Sequence, residues 1–315
     1  MRIFGIVVAV LVILLVAAWL KLRGPDIPHA TLEAKYAGGA SHFVDLPGGF
    51  HVHYEDAGDP SLPLLLLLHG FGDSYTSWDG WVGELAGKFH IMRLDFPGHG
   101  LTRAPAGYVL GGERLADFVD AFAAVLSLPK FAVAGNSMGG AVAWQLALRH
   151  PERINALILV DAGGFHNEKP AAEVPLAFKI LRYPWGRALL RNIDNRPLID
   201  EGLKIDVYDK SVITSAFVDR WAEFQRAPGH RAILMSLNPA GFGNASADAL
   251  HAITAPTLVL NGESDVLVEP ASAAKFASAI PGAKLILYPR VGHLPQIEIP
   301  KRSAADLAEF LQARH

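Results

Sequence analysis

The chain has 315 residues, room for one large domain or two. Its net charge of −3 gives no basic excess, which argues against nucleic acid as a partner. It has no cysteine, so disulfides, thiolate catalysis and cysteine-held metals are excluded. The hydrophobic content of 51% and the mean hydropathy of +0.25 are high, and part of that excess is concentrated at the start.

Residues 3–20 form an uninterrupted apolar run close to the minimum needed to cross a bilayer as a helix. Arg2 precedes it; Trp19, Lys21 and Arg23 close it. No clear small-x-small cleavage site follows, because Trp19, Leu20 and Lys21 come directly after Ala17-Ala18. The expectation is an uncleaved membrane anchor over residues 1–23, with a cleaved and secreted form as the alternative. Positive charges flank both ends, so they do not set the orientation. Export of the C-terminal part to the periplasmic side of the inner membrane is the expected outcome. Residues 24–39, with Pro25 and Pro28, read as a tether.

Beyond the tether, residues 42–46 and 50–55 flank Pro47-Gly48-Gly49 and predict an antiparallel hairpin. Continuous apolar runs follow at 64–68, 89–94, 131–134, 156–160, 257–260 and 284–288. Runs of this kind predict strands buried on both faces, as in a parallel sheet covered by helices. Helical patterns at 113–126, 138–149, 271–279 and 303–313 alternate with them, which predicts a doubly wound α/β fold. Residues 165–249 break the alternation with short helical pieces and several prolines. They are expected to form a helical cap over the C-terminal ends of the strands, where open α/β sheets bind ligands. The core is then 40–164 together with 250–315.

Gly135-Asn136-Ser137-Met138-Gly139 joins the strand at 131–134 to the helix at 138–149. A G-x-S-x-G segment in that context lifts the serine hydroxyl clear of the sheet on a tight turn. Ser137 is the candidate nucleophile, and it needs a base to take its proton. His293, in Val291-Gly292-His293-Leu294-Pro295 after the last strand, is the candidate base. Asp265, after the strand at 257–260, is the candidate acid that holds the imidazole; Asp161 and Glu263 are alternatives. The amides of Phe71, in His69-Gly70-Phe71-Gly72, and of Met138 are the candidate oxyanion donors. His69 reads as a brace for its loop. Asp95 and His99 belong to a Gly/Pro-rich turn, and no metal site is expected because nothing nearby completes a ligand set. Glu298 and Pro300 read as the start of the final helix.

These motifs, in this order, resemble the α/β-hydrolase fold family in its serine-nucleophile branch with a helical cap. His69-Gly70-Phe71-Gly72, Asp95-Phe96-Pro97-Gly98-His99-Gly100, Gly135-Asn136-Ser137-Met138-Gly139-Gly140, Asn261-Gly262-Glu263-Ser264-Asp265 and Gly292-His293 carry the resemblance. It implies an eight-stranded, mostly parallel sheet, a Ser–Asp–His triad and no cofactor. Serine at the nucleophile position departs from the haloalkane dehalogenase and epoxide hydrolase branches, which use aspartate. The Gly-Asn-Ser-Met-Gly-Gly segment is similar to the meta-cleavage-product hydrolases, which cut carbon–carbon bonds. The apolar start fits membrane-anchored esterases and lipases better. The expected activity is carboxylester hydrolysis of a small apolar ester. The sequence sets neither acyl length nor oligomeric state.

Overall fold

The computed structural model describes residues 2–166, 175–237, 242 and 244–313. Eight strands form one sheet: β1 (Ser41–Leu46), β2 (Phe50–Ala57), β3 (Leu64–Leu68), β4 (His90–Leu94), β5 (Phe131–Asn136), β6 (Ile154–Val160), β7 (Thr257–Gly262) and β8 (Lys284–Tyr288). Their spatial order is β1-β2-β4-β3-β5-β6-β7-β8. The β1–β2 and β2–β4 pairs are antiparallel and all others are parallel. Every apolar run expected to be a strand is one.

The strands explain the continuous hydrophobicity. Successive side chains of a strand point to opposite faces. Leu64, Leu66 and Leu68 of β3 enter one core with Phe131 and Val133 of β5, while Leu65 and Leu67 enter the other with Ala132 and Ala134. Both faces must therefore be apolar.

Fourteen α-helices are described. Two precede the sheet, α1 (Arg2–Leu22) and α2 (His29–Tyr36). Then come α3 (Asp79–Leu85), α4 (Gly112–Val125) and α5 (Met138–Arg149). The stretch between β6 and β7 holds α6 (Leu176–Leu181), α7 (Pro184–Leu190), α8 (Arg196–Asp206), α9 (Ser215–Gln225), α10 (His230–Leu234) and α11 (Ala247–Leu250). The chain ends with α12 (Pro270–Ala279), α13 (Pro295–Glu298) and α14 (Pro300–Gln312). Apolar residues of α4, α5 and α12 line the first core, and those of α3 and α14 the second, so the sheet is sandwiched.

One expectation at the N-terminus needs correcting. Residues 24–39 are not a free tether, because α2 is docked. Its Leu32 is 1% exposed and packs with Tyr75, Leu101, Phe224 and Ala227. Lys35 and Tyr36 both bond Glu223 of α9. The Pro/Gly content that reads as a linker is confined to the ends of this segment, and one apolar side chain suffices to seat the helix. For residues 1–23, α1 is helical and leaves Phe4, Ile6, Ile13 and Leu14 exposed. Among the described residues, however, no helix is long and apolar enough to cross a membrane. Several side chains within α1 lie outside the described set.

The inserted segment between β6 and β7 is helical in its described parts. Residues 167–174, 238–241 and 243 of the expected cap lie outside the described residues. Leu203, Val207, Ile213 and Val218 pack with Leu294, beside the loop that follows β8, so the insertion meets the C-terminal edge of the sheet.

Candidate active site

The candidate site lies at the C-terminal ends of β5, β6, β7 and β8. Ser137 sits between β5 and α5 with φ 54 and ψ −114, a left-handed conformation that L-residues rarely adopt. The turn is held from several directions. Ser137 N–H donates to the Val160 carbonyl at 3.0 Å, and the Ser137 carbonyl accepts from Ala141 N–H at 3.0 Å and Gly163 N–H at 2.9 Å. The flanking glycines are required by contact. A Cβ on Gly135 would collide with the Gly139 carbonyl, and one on Gly139 with the Leu68 carbonyl. Ser137 itself is only half-buried among fully buried neighbours.

His293 Nδ1 donates to Asp265 Oδ2 at 2.6 Å, in a pair almost withdrawn from solvent. That bond leaves Nε2 as the lone-pair nitrogen. Asp265 is itself held: its Oδ1 accepts from Leu267 N–H at 2.7 Å and Val268 N–H at 3.0 Å. Burial pulls the His293 imidazole down, but the charge of Asp265 and its hydrogen bond outweigh that. Asp206 and Glu298 raise it further, and the net position is above the usual histidine value.

Asp161 and Glu263 were the alternatives to Asp265. Asp161 is close, with a carboxylate oxygen within 4.8 Å of an Asp265 carboxylate oxygen and a His293 ring nitrogen. Its Oδ1 accepts from Gly262 N–H at 2.9 Å. Burial and the neighbouring Asp265 charge push its carboxyl well above the ordinary range, so the neutral acid is favoured there. It can support Asp265 but is poorly suited to balance an imidazolium. Glu263 gives its backbone N–H to the Tyr288 carbonyl at 2.9 Å and makes no described side-chain bond to His293. Asp161, Asp265 and His293 also have the donor atoms of a compact metal site. The 2.6 Å hydrogen bond accounts for the closeness of His293 and Asp265.

Gly70 closes against the turn, since a Cβ on it would lie 3.4 Å from Ser137 Cβ. This brings the Phe71 loop to the nucleophile. Among the described residues, neither Phe71 N–H nor Met138 N–H donates a hydrogen bond outside the helices and strands. His69 braces this loop. Phe96 N–H donates to its Nε2 at 3.0 Å, so the proton is on Nδ1, which donates to the Gly70 carbonyl at 2.8 Å. Burial lowers its basicity, in keeping with a neutral ring.

Sequence reasoning passed over three supports. Asn136 Nδ2 donates to the His293 carbonyl at 3.0 Å and to the Val160 carbonyl at 3.2 Å, tying the serine turn to the histidine loop. Its position beside Ser137 was the available signal. Glu298 closes α13 instead of starting the final helix, and its carboxylate accepts from Gly292 N–H at 2.7 Å and from Tyr208 and Asp209 N–H at 2.9 Å. Asp206, whose carbonyl accepts from His293 N–H at 2.6 Å, had no local signal.

The sheet order and the strand–serine–helix turn define a protein of the α/β-hydrolase class. Residues 65–308 match the model of the alpha/beta hydrolase family, and the chain belongs to that family. It is 31% identical over 261 residues to the 2-hydroxy-6-oxononadienedioate/2-hydroxy-6-oxononatrienedioate hydrolase of Comamonas testosteroni, covering 79% of this chain and 87% of that one. It is 28% identical to the pimeloyl-[acyl-carrier protein] methyl ester esterase of Nitrosomonas europaea, covering 80% and 96%. The crystal structure of a membrane phospholipase A, a bacterial virulence factor, superposes with a TM-score of 0.76 at 25% identity over 99% of both chains.

Proposed function

We propose that the chain is a serine hydrolase that cleaves carboxylic esters of apolar acyl groups through an acyl-enzyme. The observation that carries this reading is the strained Ser137 turn tied by Asn136 to a buried, carboxylate-held His293. Ser137 Oγ attacks the ester carbonyl carbon while His293 Nε2 takes its proton, and the carbonyl electrons move onto oxygen. The Phe71 and Met138 amides hold that oxyanion. Its collapse breaks the carbon–oxygen bond, and the leaving oxygen receives the proton from His293. Water then attacks the acyl carbon, giving its proton to Nε2. Ser137 departs with that proton as the acid is released. Asp265 stays ionised and stabilises the imidazolium.

In this reading α6–α10 act as the cap, residues 1–23 anchor the protein to the inner membrane, and the hydrolase domain lies on the periplasmic side. The apolar run at 3–20 supports the anchor, as does likeness over the full length to a membrane phospholipase A. A second reading, hydrolysis of a carbon–carbon bond, is favoured by the 31% identical relative, whose named substrates are dioates.

The test is hydrolysis of p-nitrophenyl esters of increasing acyl length by the full chain in detergent, with S137A beside it. Ester turnover that disappears in S137A supports the first reading. A folded protein that ignores every ester and cleaves a 2-hydroxy-6-oxo-dienoate supports the second.

A further inference from the structure

An apolar cavity of about 100 Å³ opens beside the candidate site. Phe71, Ile199, Leu203, Trp221, Leu234 and Met235 supply most of its hydrophobic wall, and Asn195 and Gln225 are neutral polar members. Ser137 and His293 are not in the wall. The cavity reaches the chemistry through Phe71, on the oxyanion loop, and Asp206, at the end of α8. In the ester-hydrolase reading, an acyl chain bound at Ser137 enters past these two residues.

Asp206 is the one charged residue among the described residues that line this cavity. Its placement is set by backbone packing. Its carbonyl holds His293 N–H, and a Cβ on Gly292 would strike that carbonyl, so α8 and the histidine loop lie in direct contact. The residue as a whole is half-buried, but Oδ1 is out of contact with solvent and has no hydrogen-bond partner. A buried carboxylate oxygen without a donor is costly unless something neutralises it. No lysine or arginine is found among the described lining residues.

We infer that Asp206 makes the acyl cavity reject acyl groups ending in a carboxylate, and so restricts the substrates of this enzyme to neutral esters. The inference rests on the ester-hydrolase reading and goes beyond it by assigning selectivity to one residue. An apolar tail meets a wall of side chains like itself. A tail ending in a carboxylate would leave its charge in the cavity with no cation among the described lining residues to pair with and a like charge at the entrance. Burial pushes the Asp206 carboxyl up to about 7; the charge of His293 opposes this, while Asp265 and Glu201 reinforce it. The carboxyl is thus neutral at mildly acidic pH and ionised at alkaline pH, so rejection should deepen as pH rises through neutrality.

The experiment compares p-nitrophenyl hexanoate with the mono-p-nitrophenyl ester of adipic acid, which differs at the far end of the acyl chain. The readout is the ratio of kcat/KM, neutral over anionic, for the full chain and D206N at about pH 5.5 and about pH 8.5. The adipate tail is ionised at both. Any change in His293 affects both esters alike and cancels in the ratio. The expected result is a wild-type ratio that rises about tenfold with pH, equivalent to about 1.4 kcal/mol, and a D206N ratio that stays flat near the low-pH wild-type value. A wild-type ratio that does not change with pH overturns the proposal, and that arm holds even if D206N does not fold. Equal ratios in wild type and D206N at about pH 8.5 also overturn it. Failure of the wild type to cleave either ester overturns the ester-hydrolase reading instead, which separates the two.

Discussion

His293–Asp265 and His53–Asp95 pair the same two side chains at 2.6 and 2.8 Å, and both pairs are withdrawn from solvent. The second even continues to a serine, since His53 Nε2 bonds Ser41 Oγ at 2.9 Å. Their surroundings differ. Ser41 lies on a regular strand and its hydroxyl is already engaged by Gly38 N–H and Glu55. Asp95 also accepts from Tyr75 N–H at 2.8 Å and Leu101 N–H at 2.9 Å, so it joins β4 to the loops around it. Ser137, in contrast, stands on a strained turn beside two amides without described partners, and Asp206, whose carbonyl accepts from His293 N–H, lines a cavity. A buried His–Asp pair is therefore no sign of chemistry in itself. Chemistry needs a nucleophile left unsatisfied and donors left open next to it.

The comparison can be broken most directly by removing each serine. S137A should lower kcat by roughly 10⁴-fold or more with little change in thermal unfolding, whereas S41A should leave turnover within about threefold. Equal losses in the two variants would erase the distinction. D265N should lower kcat/KM by roughly 10³-fold, since the imidazole loses its fixed tautomer and its counter-charge.

D95N should act on stability instead, costing about 3 kcal/mol by urea unfolding, because it leaves buried donors without their carboxylate. Burial raises the Asp95 carboxyl, but the His53 hydrogen bond and charge, helped by the Leu101 N–H, overcome this and bring it below its usual value. Its contribution to stability is then present above about pH 3.9 and lost as the pH falls below that, so wild type should resist acid better than D95N only above that range.

The remaining effects are smaller. D161N should change kcat/KM by less than about tenfold if Asp161 supports Asp265 as a neutral acid; a loss matching that of D265N would make Asp161 the working acid. The pH–rate profile sharpens the pair further. His293 must be neutral to accept a proton, and its Asp265 partner holds it above the usual histidine value despite burial. Plots of kcat/KM should therefore rise with pH through a midpoint above about 6.5, and that midpoint should move down in D265N.

Much of this architecture can be read along the chain. The leucines of β3 and the alternating apolar residues of β5 admit few conformations other than strands buried on both sides. Gly135 and Gly139 announce the close contacts that the Ser137 turn requires. The candidate residues fall at strand ends because each follows a run of that kind. Legibility fails where a side chain's meaning depends on a distant partner. The Pro- and Gly-bearing ends of 24–39 hide the fact that Leu32 has a seat waiting on α9 and the Tyr75 loop.

Local sequence thus determined the strands, the serine turn and the order of the candidate triad, because backbone preference and side-chain alternation act over a few residues. Tertiary structure alone decided that Asp265 bonds His293 while Asp161 sits behind as a raised acid. It also decided that Asn136 and Glu298 brace the histidine loop, and that Asp206, 87 positions before His293, lines the cavity beside it. Those relations depend on how the chain closes across the sheet edge, and burial then sets the charge each carboxyl can carry.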